Sequence, residues 1–146
     1  MKPFTHMKPF IKLLPLAGLL LAFSAWAELA VIVDPSVKVN SLSIEQLQRL
    51  YLNQANRFPG GVALRPLDQH SGSGQRKAFD AHVLGMSERE LAEYWSRRMF
   101  SGKGHPPATV KDDKAMIDRV ITEPGDVGYI DGDSVDDRVK VILRIP

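Results

Sequence analysis

The chain predicts a layered domain of the α/β or mixed α+β class. Short apolar runs rich in β-branched residues alternate with stretches of helical period, and a capping or turn signal marks almost every change between them. It has one domain's worth of these elements, with no internal repeat of an element and no low-complexity tract.

In order, Leu29 to Val33 reads as a buried strand that ends at Asp34-Pro35. Ser43-Ile44-Glu45-Gln46 has capping-box spacing, and Ile44, Leu47, Leu50 and Tyr51 then share one face, which predicts a helix from Ile44 to Leu52. Asn53 to Gly61, rich in Asn, Gly and Pro, reads as loop. Val62 to Leu67 reads as a strand whose Pro66 places it near an edge or at its end. Ala78, Phe79, Ala81, His82 and Leu84 give a helical stripe from Arg76 to Leu84 that stops at Gly85. Ser87-Glu88-Arg89-Glu90 is a second capping box, opening a helix through Met99. Phe100 to Pro107 carries three breakers and reads as loop. Asp112 or Thr109 caps a fourth helix with Met116, Ile117, Val120 and Ile121 inside, ending before Pro124-Gly125. Val127 to Ile130 and Val139 to Ile145 are strands around a polar turn region from Asp131 to Asp137.

The amino terminus changes the meaning of the composition. Lys2, Lys8 and Lys12 precede an apolar run from Leu13 to Phe23, followed by the small-x-small triplet Ala25-Trp26-Ala27. This reads as a secretory signal peptide cleaved after Ala27, too short and too interrupted for a membrane anchor. Met1-Lys2-Pro3-Phe4 recurs as Met7-Lys8-Pro9-Phe10, which makes Met7 a second candidate start. The expected mature chain, Glu28 to Pro146, holds 16 basic and 17 acidic side chains, a formal charge of −1. The basic balance of the whole sequence therefore belongs to the leader and gives no support to a nucleic-acid or membrane-surface partner. Export without a single cysteine fits a bacterial periplasm better than a disulfide-stapled extracellular scaffold.

Ser71-Gly72-Ser73-Gly74-Gln75-Arg76 lies between a predicted strand and a predicted helix. Small residues there leave backbone N–H groups unobstructed at the positive end of a helix, where an oxyanion can be held. The same composition also makes an ordinary turn and N-cap. His70 beside the serines suggests nucleophilic chemistry, but there is no Gly-x-Ser-x-Gly elbow and no orienting acid. The scattered histidines have no metal-ligand spacing, and Asp131-Gly132-Asp133 departs from a calcium loop at Val135. Tyr94 and Trp95 read as core, Arg97 and Arg98 as complements to a helix C-terminus.

From Leu42 to Ile130 the chain resembles one lobe of the periplasmic phosphate-binding proteins of ABC transporters. Three segments carry the resemblance: Leu42-Ser43-Ile44-Glu45-Gln46-Leu47 with Tyr51-Leu52-Asn53, Ser73-Gly74-Gln75-Arg76 with Phe79, and Glu123-Pro124-Gly125-Asp126-Val127-Gly128-Tyr129-Ile130. The last is similar to the family's Pro-Gly-Ala-Ile-Gly-Tyr-Val segment and is the most specific. The resemblance implies an α/β, three-layer lobe of periplasmic-binding-protein type II, with a mixed sheet flanked by about four helices. It also implies a non-enzymatic periplasmic or secreted protein without a cofactor, holding inorganic phosphate or a similar oxyanion through Ser73 and Gly74, beside which Ser71, Gln75 and Arg76 are the further candidate contacts.

Ser73 and Gly74 match the family's Ser-Gly-Thr loop, and Gln75 replaces its threonine. Ser71 and Gln69 stand where the family has Asp and Arg, with Arg65 and Asp68 nearby but out of register. One lobe's length gives one wall of a site, exposed to solvent, so the expected affinity is about high-micromolar or weaker. A second copy, an ABC permease, a sensor or an envelope protein would be the partner. The other function class is a protein-interaction module that kept the fold and lost the ligand.

Overall fold

The computed structural model describes Pro3 and residues 27–146, so the signal-peptide reading lies outside the described residues. The centre is a five-stranded mixed sheet in the order β5-β4-β6-β1-β7. Its strands are β1 (Leu29–Val33), β4 (Arg65–Gln69), β5 (Ala108–Val110), β6 (Asp126–Asp131) and β7 (Lys140–Ile145). β4 runs parallel to both β5 and β6, whereas β1 runs antiparallel to β6 and β7. All five residues of β1 are buried, because it has a strand on either side and a cluster on each face. That double burial is why it reads as an unbroken apolar run rather than an alternating one.

The two faces divide the core into three layers. Leu29, Val31 and Val33 of β1, with Val127 and Tyr129 of β6, meet α1 (Ile44–Tyr51) and α2 (Gly74–Phe79) through Leu47, Leu50, Tyr51 and Phe79. Ala30, Ile32 and Ile130 point the other way, onto Met116, Ile117 and Val120 of α4 (Asp113–Thr122). The expected α/β lobe with a mixed sheet and four helices is thus borne out. α3 (Glu88–Phe100) lies beyond α2, burying Leu91 and Trp95.

Both predicted capping boxes form. Ser43 Oγ accepts from the Gln46 amide at 3.1 Å while Gln46 Oε1 accepts from the Ser43 amide at 2.8 Å, and Ser87 and Glu90 do the same at the head of α3. Asp112, not Thr109, caps α4, accepting from the Ala115 amide at 2.8 Å.

Several boundaries differ from the sequence reading. The strand expected over Val62 to Leu67 divides in two. Val62–Ala63 (β3) pairs with Arg57–Phe58 (β2) as a small hairpin inside the segment read as loop, and β4 begins afterwards at Arg65. β4 is next to the edge strand β5 and Pro66 is its second residue, so the proline sits near an edge and at the strand's end as its type predicts. It is tolerated because β5 pairs only with Leu67, Asp68 and Gln69, which leaves no donor required at Pro66 on that side. α2 starts two residues earlier than its apolar stripe because Ser73 caps it. It continues as a π-helical turn over Asp80–Leu84, closed by Gly85 at φ 61°. β5 was not anticipated, being three residues long and largely exposed.

Candidate functional site

The chain leaves β4 towards α2 on one face of the sheet and leaves β5 towards α4 on the other. In an open sheet this divergence of neighbouring connections opens a crevice at the carboxyl ends of the strands. Three loops meet there: the turn from His70 to Ser73, the Asp112-capped start of α4, and the turn after β6. The His70 amide donates to Val110 O at 3.0 Å, tying the first loop to the end of β5.

The turn itself is closed by the Ser73 amide donating to His70 O at 3.2 Å, with Gly72 at φ 90°, a backbone value that disfavours a side chain. Ser73 Oγ then accepts from the Arg76 amide at 3.0 Å. The serine hydroxyl therefore serves first as a helix cap. The Gly74 and Gln75 amides, next in line, carry no hydrogen bond among the described residues. Ser71 and Gly74 are exposed, and Ser73 and Gln75 half-buried.

The side chains of the other two candidates are committed elsewhere. Arg76 turns inward: its Nη1 lies 3.1 Å from Asp68 Oδ2 and donates to Gln69 O at 2.9 Å, while Nε donates to Asp80 Oδ2 at 3.0 Å. Its charge thus faces two carboxylates. Asp68 is buried at the end of β4, and the Tyr129 hydroxyl donates to its Oδ1, which also accepts from the Gln69 amide. Burial pushes the Asp68 carboxyl up to about 6, against the pull of Arg76 and Tyr129. Burial likewise raises Asp80 and Tyr129.

Gln75 donates to Asp113 Oδ2 at 3.4 Å. That carboxylate also accepts from Gln69 Nε2 at 2.7 Å, Ser134 Oγ at 2.8 Å and the Asp131 amide at 3.1 Å. Donors from two connections, that between β4 and α2 and that after β6, therefore converge on one anion that the start of α4 places in the crevice. Asp113 is not among the residues that the sequence singles out. Its convergence depends on which loops the sheet order brings together, and no local pattern encodes that.

Arg65 and Asp68, near in sequence, separate in space. Arg65 Nε donates to Asp126 Oδ1 at 2.7 Å, and Arg119 Nε to Asp126 Oδ2 at 2.9 Å. A cavity of about 500 Å³ opens from Ser71 and Gly72 along α2 and α3, over Arg76 and Asp80 to Leu91, Trp95 and Met99.

No family model matches the chain, and no curated protein does. Solved structures do. An ABC-type phosphate transport receptor from Vibrio cholerae superposes with a TM-score of 0.65 at 26% identity, over 81% of this chain and 47% of that one. A putative phosphate ABC transporter substrate-binding protein with bound phosphate, from Clostridium perfringens, gives 0.64 at 20% identity, over 80% and 45%. PstS from Borrelia burgdorferi gives 0.60 at 16% identity, over 80% and 47%. The chain spans about half the length of these solved proteins. The resemblance carried by the three sequence segments thus holds at the level of the fold: this chain is built as the substrate-binding proteins of phosphate ABC transporters are, over one lobe's worth of residues.

Proposed function

We propose that this protein is an exported, non-enzymatic oxyanion-binding protein, periplasmic or secreted, that takes inorganic phosphate or a related oxyanion weakly or together with a partner. The observation that carries this reading is the position of the Ser71–Gln75 loop. It lies at the carboxyl end of β4, on a fold shared with a phosphate transport receptor, with the Gly74 and Gln75 amides unengaged. Ser71 Oγ and these amides are the contacts. Ser73 positions the amides as cap and Gln75 contributes through its backbone, whereas the Arg76 amide is taken by Ser73 Oγ and its guanidinium by Asp68 and Asp80.

Two physical facts keep the affinity low. The guanidinium of Arg76 is balanced by Asp68 and Asp80, and a wall open to solvent has an effective dielectric near that of water. The expected dissociation constant is about 100 µM or weaker, corresponding to roughly 5 kcal/mol of binding. An ABC permease, a sensor, an envelope protein or a second copy would supply the missing wall.

A protein-interaction module without a ligand is the second reading, favoured by Asp113 holding the side-chain amides of Gln75 and Gln69 as a built-in anion. Isothermal titration and thermal shift with phosphate, sulfate and arsenate separate the two. A ligand that binds only the native state raises the melting temperature. No shift at saturating concentration of all three establishes the interaction module, and nanomolar capture by a monomer contradicts the open half-site.

A further inference from the structure

The even charge balance of residues 28–146 conceals a segregation. Residues 46–67 hold Arg49, Arg57 and Arg65 and no acid, and residues 94–111 hold Arg97, Arg98, Lys103 and Lys111 and no acid. All 17 carboxylates lie elsewhere in the chain. The fold joins these two acid-free segments. Arg98 Nη2 donates to Asn53 O at 2.9 Å and to Lys103 O at 3.1 Å, and the Tyr94 hydroxyl donates to Leu52 O at 2.6 Å.

At this junction α3 ends. Phe100 is 97% exposed and Met99 52%, whereas among the described residues the other large apolar side chains, Ile44 excepted, are withdrawn from solvent. The end is firmly built. The Lys103 amide donates to Arg98 O at 2.8 Å, and Gly102 sits at φ 69°. Gly104 lies so close to Asn53 that a Cβ there would come within 2.1 Å of its side-chain nitrogen. Arg98 is spent inside this joint, over the Tyr94 ring at 5.5 Å. Arg97 and Lys103 remain exposed beside Phe100, with no ion pair among the described residues.

We infer that this tip is a docking surface for an anionic lipid bilayer, Phe100 and Met99 entering the interface and Arg97 and Lys103 meeting the headgroups. Two projecting apolar side chains are too little area for a stable protein contact. They suffice for weak, reversible seating on a bilayer when adjacent cations add about fivefold each to the partition coefficient. No helix among the described residues is long and apolar enough to cross a membrane, and the seating proposed is a peripheral one. It does not depend on the oxyanion loop.

The test is flotation of the mature protein with phosphatidylglycerol-containing vesicles and with pure phosphatidylcholine vesicles, at low and at physiological salt. Binding is expected to the anionic vesicles only, weakening with salt. Phe100→Ser lowers it about tenfold, and Arg97→Gln with Lys103→Gln lowers it about thirtyfold, with circular dichroism and melting unchanged. Lys38→Gln, exposed elsewhere on the surface, leaves it intact. A Phe100→Trp variant gains a blue-shifted emission on the same vesicles. Equal binding to both vesicle types, no binding, an equal loss with Lys38→Gln, or capture of an acidic protein or DNA without vesicle binding overturns the proposal.

Discussion

The side-chain amide of Gln69, buried at the last residue of β4, donates over 2.7 Å to Asp113 Oδ1 in the first turn of α4. The same carboxylate gathers Gln75, Ser134 and the Asp131 amide. Replacing Asp113 with Ala leaves the buried Gln69 side-chain amide with Tyr129 O as its remaining acceptor and one N–H unpaired, which costs about 2 kcal/mol. It also opens a donor-lined space beside the Ser71–Gln75 loop. We expect Asp113→Ala to melt lower than the wild type, and phosphate to raise its melting temperature more. An unchanged phosphate response would show that these donors are structural only.

Asp68 gives a pH prediction. Its carboxyl sits at about 6 in the folded protein, above the ordinary carboxylate value, because burial disfavours its charge. The native state therefore holds a proton more tightly than the unfolded chain between about pH 4 and 6, and in that window this group's contribution to stability falls as pH rises. The full swing is about 2 to 3 kcal/mol. Asp80, also raised by burial, adds in the same sense. Carboxyls held low, such as Asp34 hydrogen-bonded by Ser36, act oppositely as pH falls. Comparing wild type with Asp68→Asn across pH 4 to 7 by urea denaturation isolates the Asp68 part, and parallel curves would refute it.

The elements legible in the sequence are those whose physics is local. Ser43 with Gln46 and Ser87 with Glu90 announced two helices because a capping box closes within four residues. β1 announced itself because both of its faces are covered. What stayed hidden needed distant partners. The hairpin of Arg57–Phe58 with Val62–Ala63 is two residues a side and exists through its pairing, not its propensity. The loop over Ser71 to Arg76 was legible as a turn that caps a helix. The direction of the Arg76 side chain was not, because Asp68 and Asp80 reach it only once β4 and α2 are packed together.

Asp126, which replaces an alanine of the family's segment, is buried between two arginines on different elements. Either arginine alone can compensate its charge, and both are half-exposed or more, so Arg65→Ala or Arg119→Ala alone should cost about 1 kcal/mol or less. Removing both leaves a buried carboxylate without a partner, at about 3 kcal/mol or more. The double-mutant cycle measured by chemical denaturation should be clearly non-additive. Additive losses would mean that Asp126 is compensated from elsewhere.

Gly128 is the most tightly constrained point of the segment from Glu123 to Ile130. A Cβ there would fall 2.1 Å from the Met116 sulfur and 2.8 Å from its Cγ. The backbone is ordinary strand, so the constraint comes from the neighbouring side chain and not from φ. Met116 is itself fully buried against β6, with Ile117 and Val120 beside it in the same cluster. It has little room to retreat when a methyl group is added. Gly128→Ala should therefore cost about 2 kcal/mol, by forcing Met116 off its rotamer or α4 away from the sheet. In a Met116→Ala background, already destabilised by its own cavity, the same substitution should cost less than about 0.5 kcal/mol, since the added methyl then fills space instead of contesting it. Equal costs in the two backgrounds would locate the constraint outside the Gly128–Met116 contact.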